Sequence, residues 1–423
     1  MLERKLWIRF AVRSACAAAI ILSVNGLQTG AQLNDPSALP RLTQDGLSYL
    51  GGFRVPGEAM TGADFTYGGS PIAFHPANNS LFVGGLASNG FSGKVAEISI
   101  PAPVNSVDAK AMQAATYLQP AFVDPTEGHL KEVSPSDVNL YGLLVYGNRL
   151  HGAVSIYYDA SNSQRRSHFS RSLNLTTPSF SGWSQVWQAE RTGLISGWMS
   201  LVPTEWQSRL GAPAITGQCC IPIISRTSYG PAAFAFNPAL VGQPTVPAQP
   251  LLYYDSAHRT LGPWEDQNPT YGMTTRVGGV AIIAGTRTAL FVGSNGLGRP
   301  CYGSGTADKA LADASPTDNI CYDPADAHQG NHAYPYRYQM WAYDLNDFAA
   351  VKAGTKQPWE VIPYGVWPVE FPTQAPHLQI GGVAYDAQRQ ILYVSQRDGN
   401  RGEYSTSPII HAFALNPNAA KRQ

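Results

Sequence analysis

Two short stretches of the 423-residue chain combine aromatic rings with carboxylates: Trp198 with Glu205 and Trp206, and Trp264 with Glu265 and Asp266. A Trp face covers the apolar side of a sugar ring, while carboxylates accept its hydroxyl hydrogen bonds or serve as acid and base. These six residues are therefore the candidate wall of a site for a saccharide or another small polar ligand. Glycoside hydrolysis would further require two carboxyls about 5–5.5 Å or about 6.5–9.5 Å apart, a separation that spacing along the chain does not define. The competing reading of Trp206 is a packing role, as the staple of its own loop. A second constellation, Asp323, Asp326, His328 and His332, offers ligands suited to Zn²⁺ or, through its oxygens, Ca²⁺. Gly330 and Pro335 argue against a helix that would align the two imidazoles, so ordinary loop hydrogen bonding is the alternative. Other chemistry lacks its motif. There is no Gly-x-Ser-x-Gly and no Walker loop, and the strand before Gly293, Gly296 and Gly298 leads to Arg-Pro-Cys without a dinucleotide-binding helix.

Composition limits what can position these groups. With 41 Gly, 32 Pro, 44% hydrophobic and only 14% charged residues, the chain has a core and many turns, which excludes disorder, coiled coil and collagen. The formal charge is zero, and without residues 1–31 a slight excess of acid remains. No electrostatic footprint for nucleic acid or an anionic membrane exists.

Residues 1–31 read as an export signal: Arg4, Lys5, Arg9 and Arg13 precede an Ala/Ile/Leu/Val run that ends near Thr29-Gly30-Ala31. The run is about 14 residues long, short of the roughly 20 that a spanning helix needs. The mature protein is expected to begin near Gln32 or Leu33, to be secreted or periplasmic, and to have no membrane span.

One unit recurs along the remainder. It consists of Gly-Gly, an apolar strand, a short polar turn and Leu-Phe/Tyr-Val. It stands at Gly68-Gly69 with Leu81-Phe82-Val83, at Gly278-Gly279 with Leu290-Phe291-Val292, and at Gly381-Gly382 with Leu392-Tyr393-Val394. Weaker copies at 140–173 and 211–237 bring the count to five. Four-stranded units repeated radially are β-propeller blades. The last unit runs out of chain after its third strand, and residues 47–55 form an orphan strand able to complete it. The expected fold is all-β: a single propeller over 32–423, with five blades, closed by the N-terminal strand and carrying a disulfide-closed insertion at about 295–336. Six blades, or a pair of β-sandwiches, are the alternatives. Residues 42–416 show a general resemblance to secreted bacterial β-propeller proteins. With no WD or kelch signature, this implies fold and not activity.

Propeller topology would put the connections 56–67, 124–139, 190–210, 255–277, 295–336 and 368–380 on one face, together with the candidate site. Two functional readings follow: binding of a saccharide or small polar ligand at that face, with hydrolysis as an extension, or a non-catalytic extracellular scaffold for protein interactions. Of the four cysteines beyond Cys16, Cys301 and Cys321 bracket one connection and are expected to pair. The sorting places Cys219 and Cys220 on the opposite face. Adjacent Cα atoms stand about 3.8 Å apart, below the usual disulfide range, so two thiols are expected there.

Overall fold

The computed structural model describes residues 35–419 except 61, 87–91, 136–137, 222, 315–318 and 376–377. The expected export signal lies outside the described residues. Strands dominate, arranged mainly in antiparallel sheets, and the fold is all-β.

Five sheets form the body. Sheet I contains Ile72–His75, Ser80–Leu86 and Ser92–Ser99, extended at its edge by bridges from Val95 to Val123 and from Ile98 to Tyr117. Sheet II contains Val138–Tyr146, Arg149–Ile156 and His168–Ser172. Sheet III runs from Met199–Leu201 through Ala214–Thr216 and Ala233–Phe236 to Ala248–Leu252. Sheet IV orders Arg276–Ile283, Thr288–Gly296, Tyr336–Asp344 and Gly365–Val369. In sheet V, Ile380–Asp386, Ile391–Arg401 and Thr406–Leu415 are joined at the outer edge by Leu47–Arg54, in register from Leu47 opposite Leu415 to Arg54 opposite Ile409.

Antiparallel strands usually alternate between core and solvent. Here all nine residues of Thr288–Gly296 are buried, as are all but the first of Arg149–Ile156. The cause is packing on both faces. Among the described residues, five apolar clusters are each filled chiefly from two sheets: IV and V, V and I, I and II, II and III, and III and IV. The first strands also meet. Ile72–His75 touches Val138–Tyr146 and Ile380–Asp386, Met199–Leu201 touches Val138–Tyr146 and Arg276–Ile283, and Arg276–Ile283 touches Ile380–Asp386.

Close approach explains the repeated glycines. A Cβ on Gly142 would stand 2.0 Å from the Gly197 carbonyl oxygen, one on Gly381 2.0 Å from that of Gly69, and one on Gly278 2.4 Å from that of Ile380. At the same level the first strands carry bulges, between Leu140 and Gly142, Val277 and Gly279, and Ile380 and Gly382. A bulge bends the strand and re-aims its side chains.

One sheet departs from the sequence reading. Sheet III begins at Met199–Leu201, so the helix Thr204–Leu210 lies between its first and second strands and not ahead of the sheet. The first strand is only three residues long and lacks the Gly-Gly and Leu-Phe-Val signature. The helix buries Trp206 and Leu210, one turn apart, and ends at Gly211, whose φ of +93° suits glycine.

Gly142→Ala and Gly381→Ala are each expected to destabilise the protein by about 1–3 kcal/mol or more through overpacking. Gly57→Ala, whose Cβ meets nothing within 4 Å, should leave thermal unfolding unchanged. Equal melting temperatures for all three variants would refute the close-approach argument.

Candidate functional site

Where the first strands of the five sheets begin, they surround a cavity of about 300 Å³. Its walls come from every sheet: Ser70 ahead of sheet I, Tyr141 of sheet II, Trp198 and Gln218 of sheet III, Arg276 and Gly278 of sheet IV, and Gln379, Gly381 and Arg397 of sheet V. A second cavity of about 470 Å³ adjoins it and shares Tyr157, Cys220, Ile221 and Arg276. This wider part is aromatic and amide-rich, with Tyr158, Trp264, Tyr271, Tyr302, Gln329 and Asn331. No Asp or Glu is among the described residues that line either cavity.

Several side chains here hold polar atoms without a partner among the described residues. Gln218 is 2% exposed; its Oε1 accepts the Cys219 N–H at 3.0 Å, which leaves Nε2 unpaired. The Tyr271 hydroxyl, Asn331 Oδ1 and Arg397 Nε are in the same condition. Such a group costs about 1–3 kcal/mol when buried without a partner. Burial raises Tyr141 well above its ordinary pKa, with Tyr157 adding to the effect and Arg397 and Arg276 opposing it. Its hydroxyl therefore stays protonated at neutral pH.

The six residues expected to form one wall are divided. Trp198 lines the narrower cavity and donates its indole N–H to Ala232 O at 3.1 Å, and Trp264 lines the wider one. Glu265 is exposed and paired with Arg259 at 3.2 Å, and Asp266 is exposed nearby in sequence. Glu205 and Trp206 lie elsewhere, because their helix follows the first strand of sheet III instead of preceding it. The Glu205 carboxylate accepts the Gly285 N–H at 3.0 Å in the turn between two strands of sheet IV, and Trp206 is fully buried and donates to Thr286 O at 2.8 Å. Trp206 thus packs inward, as the staple alternative holds.

The other loop acids serve their own loops. Asp124 accepts from Thr126 and Gly128, Glu127 from the N–H groups of Ser179 and Phe180, and Asp255 faces His258 at 2.8 Å. His377 lies outside the described residues.

The expected metal cluster is also organised as a loop. His332 Nδ1 lies 2.7 Å from Asp323 Oδ2, and its Nε2 faces the carbonyls of Gly303 and His328. Tyr336 donates to the same Asp323 oxygen at 2.6 Å. His328 is turned to solvent beside Asp326. Among the described residues no group of three or more His, Cys, Asp or Glu side chains converges on a metal position. Burial alone would raise the Asp323 carboxyl, yet hydrogen bonds from His332, Tyr336 and the Ala325 N–H hold it below the usual range, while the Asp323 contact raises His332.

Cys301 and Cys321 form the expected disulfide, fastening a small sheet of Cys301–Thr306, Ile320–Tyr322 and Gln329–His332. Cys219 and Cys220 are also bridged, against the expectation of thiols, with Cα atoms 3.7 Å apart. In an extended chain successive side chains point to opposite faces, whereas Cys220 has a φ of +65°, a left-handed turn that removes this divergence. The pair lies after the second strand of sheet III, so it lines the mouth and not the opposite face.

The chain matches no family model and no curated protein.

The Asp323–His332 pair makes a pH prediction. A depressed carboxyl stabilises above its unfolded pKa of about 4 and loses that effect as pH falls; a raised imidazole stabilises below its unfolded pKa of about 6.5 and loses it as pH rises. Amide exchange over residues 320–332, corrected for intrinsic rates, should therefore be slowest between about pH 4 and about 6.5. Asp323→Asn should abolish that minimum. A flat profile in the unsubstituted protein would exclude the charged pair.

Proposed function

We propose that the chain is an exported five-bladed β-propeller that binds a small polar ligand, of which a saccharide is the leading class, at the mouth formed by its five first strands. The propeller reading is supported by the first strands, each of which has two others as neighbours, and by the apolar cluster between each such pair of sheets. Pairing of Leu47–Arg54 with Thr406–Leu415 would then seal the last blade with the start of the domain. Export is supported by the character of residues 1–31 and by two disulfides, which persist in oxidising compartments. No helix among the described residues is long and apolar enough to cross a membrane.

The observation that carries the binding reading is the presence, in a cavity walled from all five sheets, of two buried polar atoms, Gln218 Nε2 and Arg397 Nε, without a partner among the described residues. Strands hold Tyr141, Arg276 and Arg397, and Trp264 and Tyr157 line the wider cavity beside them. Binding, and not glycoside hydrolysis, is proposed, because that reaction uses two carboxyls and the described lining has none. A non-catalytic interaction scaffold would be favoured by a plugged mouth. The described residues of the insertion, however, border the wider cavity alone, through Tyr302 and Gln329–Asn331.

Intact-mass analysis of protein released by cells should give a chain beginning near Gln32 or Leu33; a product that retains residues 1–31 would refute processing. A glycan array followed by calorimetric titration tests the site. Trp264→Ala should weaken binding by about 1 kcal/mol or more, the scale of aromatic contacts. Trp206→Ala should instead cost about 3–5 kcal/mol of folding stability. An array without a hit would remove the saccharide reading.

A further inference from the structure

The mouth carries two guanidiniums and no carboxylate among its described lining residues. Arg276 Nη1 reaches only backbone carbonyls, those of Thr275 at 2.9 Å and Met273 at 3.5 Å. Arg397 meets Gln379 Oε1 and Tyr67 O, each at 2.9 Å, and its Nε has no partner. Neither guanidinium is ion-paired among the described residues, a condition shared by several arginines outside the mouth, such as Arg149 and Arg226, but here both border one cavity. Two uncompensated cations therefore line one small cavity. Gln218 adds an unpaired N–H₂, and its flip state is set by the Cys219 N–H on its oxygen. The Tyr141 hydroxyl, within electrostatic reach of both guanidiniums, accepts from the Asn139 side chain and keeps its own O–H to donate. A neutral sugar would need acceptors for its own hydroxyl protons, whereas the unpartnered buried polar atoms of this narrower cavity, Gln218 Nε2 and Arg397 Nε, are both donors.

We infer, resting on the reading of the mouth as the ligand site, that the ligand carries an oxyanion bound by Arg276 and Arg397, with Tyr141 and Gln218 as further donors and its remaining ring in the wider cavity beside Tyr157 and Trp264. Guanidinium groups bind carboxylates and sulfate or phosphate esters through strong charge-assisted hydrogen bonds. The amides of Gln329 and Asn331 in the wider cavity can serve the neutral hydroxyls. The ligand class is thus an acidic saccharide or a comparable acidic ring compound.

Calorimetric titration of the mature protein with glucuronate, glucose 6-sulfate, glucose 6-phosphate and glucose tests this inference. At least one anionic probe should bind tenfold or more tightly than glucose, and its affinity should fall as salt is added; which probe binds separates carboxylate from ester. Arg276→Gln, on an exposed side chain, should reduce that affinity tenfold with unfolding temperature unchanged, and Arg397→Gln should do the same if it folds. Glucose binding as tightly as the anions, unaffected by Arg276→Gln but lost in Trp264→Ala, would overturn the oxyanion while leaving the mouth as the site. No binding by any probe would overturn both.

Discussion

Each of the five body sheets has to bury both of its faces, and most of the structure follows from that requirement. A sheet covered on one side alternates apolar and polar residues; one covered on both becomes continuously apolar, as at Ala289–Val292 within the fully buried Thr288–Gly296. The five interlayer clusters supply the hydrophobic stabilisation, at about 25 cal/mol per Å² of apolar surface removed from water. Bringing several sheets together in this way forces their first strands close to one another. Only glycine tolerates backbone carbonyls at the distances found beside Gly142, Gly278 and Gly381.

The same crowding shapes the candidate site. The bulges that accompany the glycines bend the first strands at the level where the narrower cavity opens, so Tyr141, Arg276 and Gln379 reach it from three sheets. Tyr141 and Arg276 stand on packed strands, a precondition for well-defined ligand geometry, whereas Gln379 lies just ahead of its strand. The vicinal disulfide contributes in a different way. Cys219 and Cys220 are nearly buried, and their bridge ties together adjacent residues of the connection 217–232 where Cys220 borders both cavities.

The loops contain most of the acidic residues, and much of that charge is used locally. Asp124, Asp159 and Asp323 each accept backbone N–H groups within a few residues, the ordinary means by which a long connection holds its shape. Glu97 in sheet I is more extreme: it is fully buried, and although burial would raise its carboxyl, donors on Gln119, Ser80, His75 and Asn78 hold it below the usual range. With these acids engaged, the cationic character of the mouth is left uncompensated.

The all-β class, the disulfide between Cys301 and Cys321, and the pairing of residues 47–54 with the last strand were legible in the sequence. Each depends on a local pattern or on one closed loop: the recurring Gly-Gly and Leu-Phe-Val spacing, a cysteine pair around one insertion, and an orphan strand matched to an incomplete sheet. The three-residue strand Met199–Leu201 was not legible, because it is too short to carry a periodicity and is defined only by its partners Ala214–Thr216. That one displacement carried Glu205, Trp206, Cys219 and Cys220 to faces other than those expected. The groups proposed to bind the ligand were hidden for a related reason. Tyr141, Gln218, Arg276 and Arg397 are scattered over more than 250 positions and share no motif, and only the convergence of separate strands makes them neighbours. Aromatic and acidic residue types identify chemistry that a chain could perform. Whether a carboxylate faces a ligand or its own loop is decided by the tertiary structure, through the competition for each hydrogen bond.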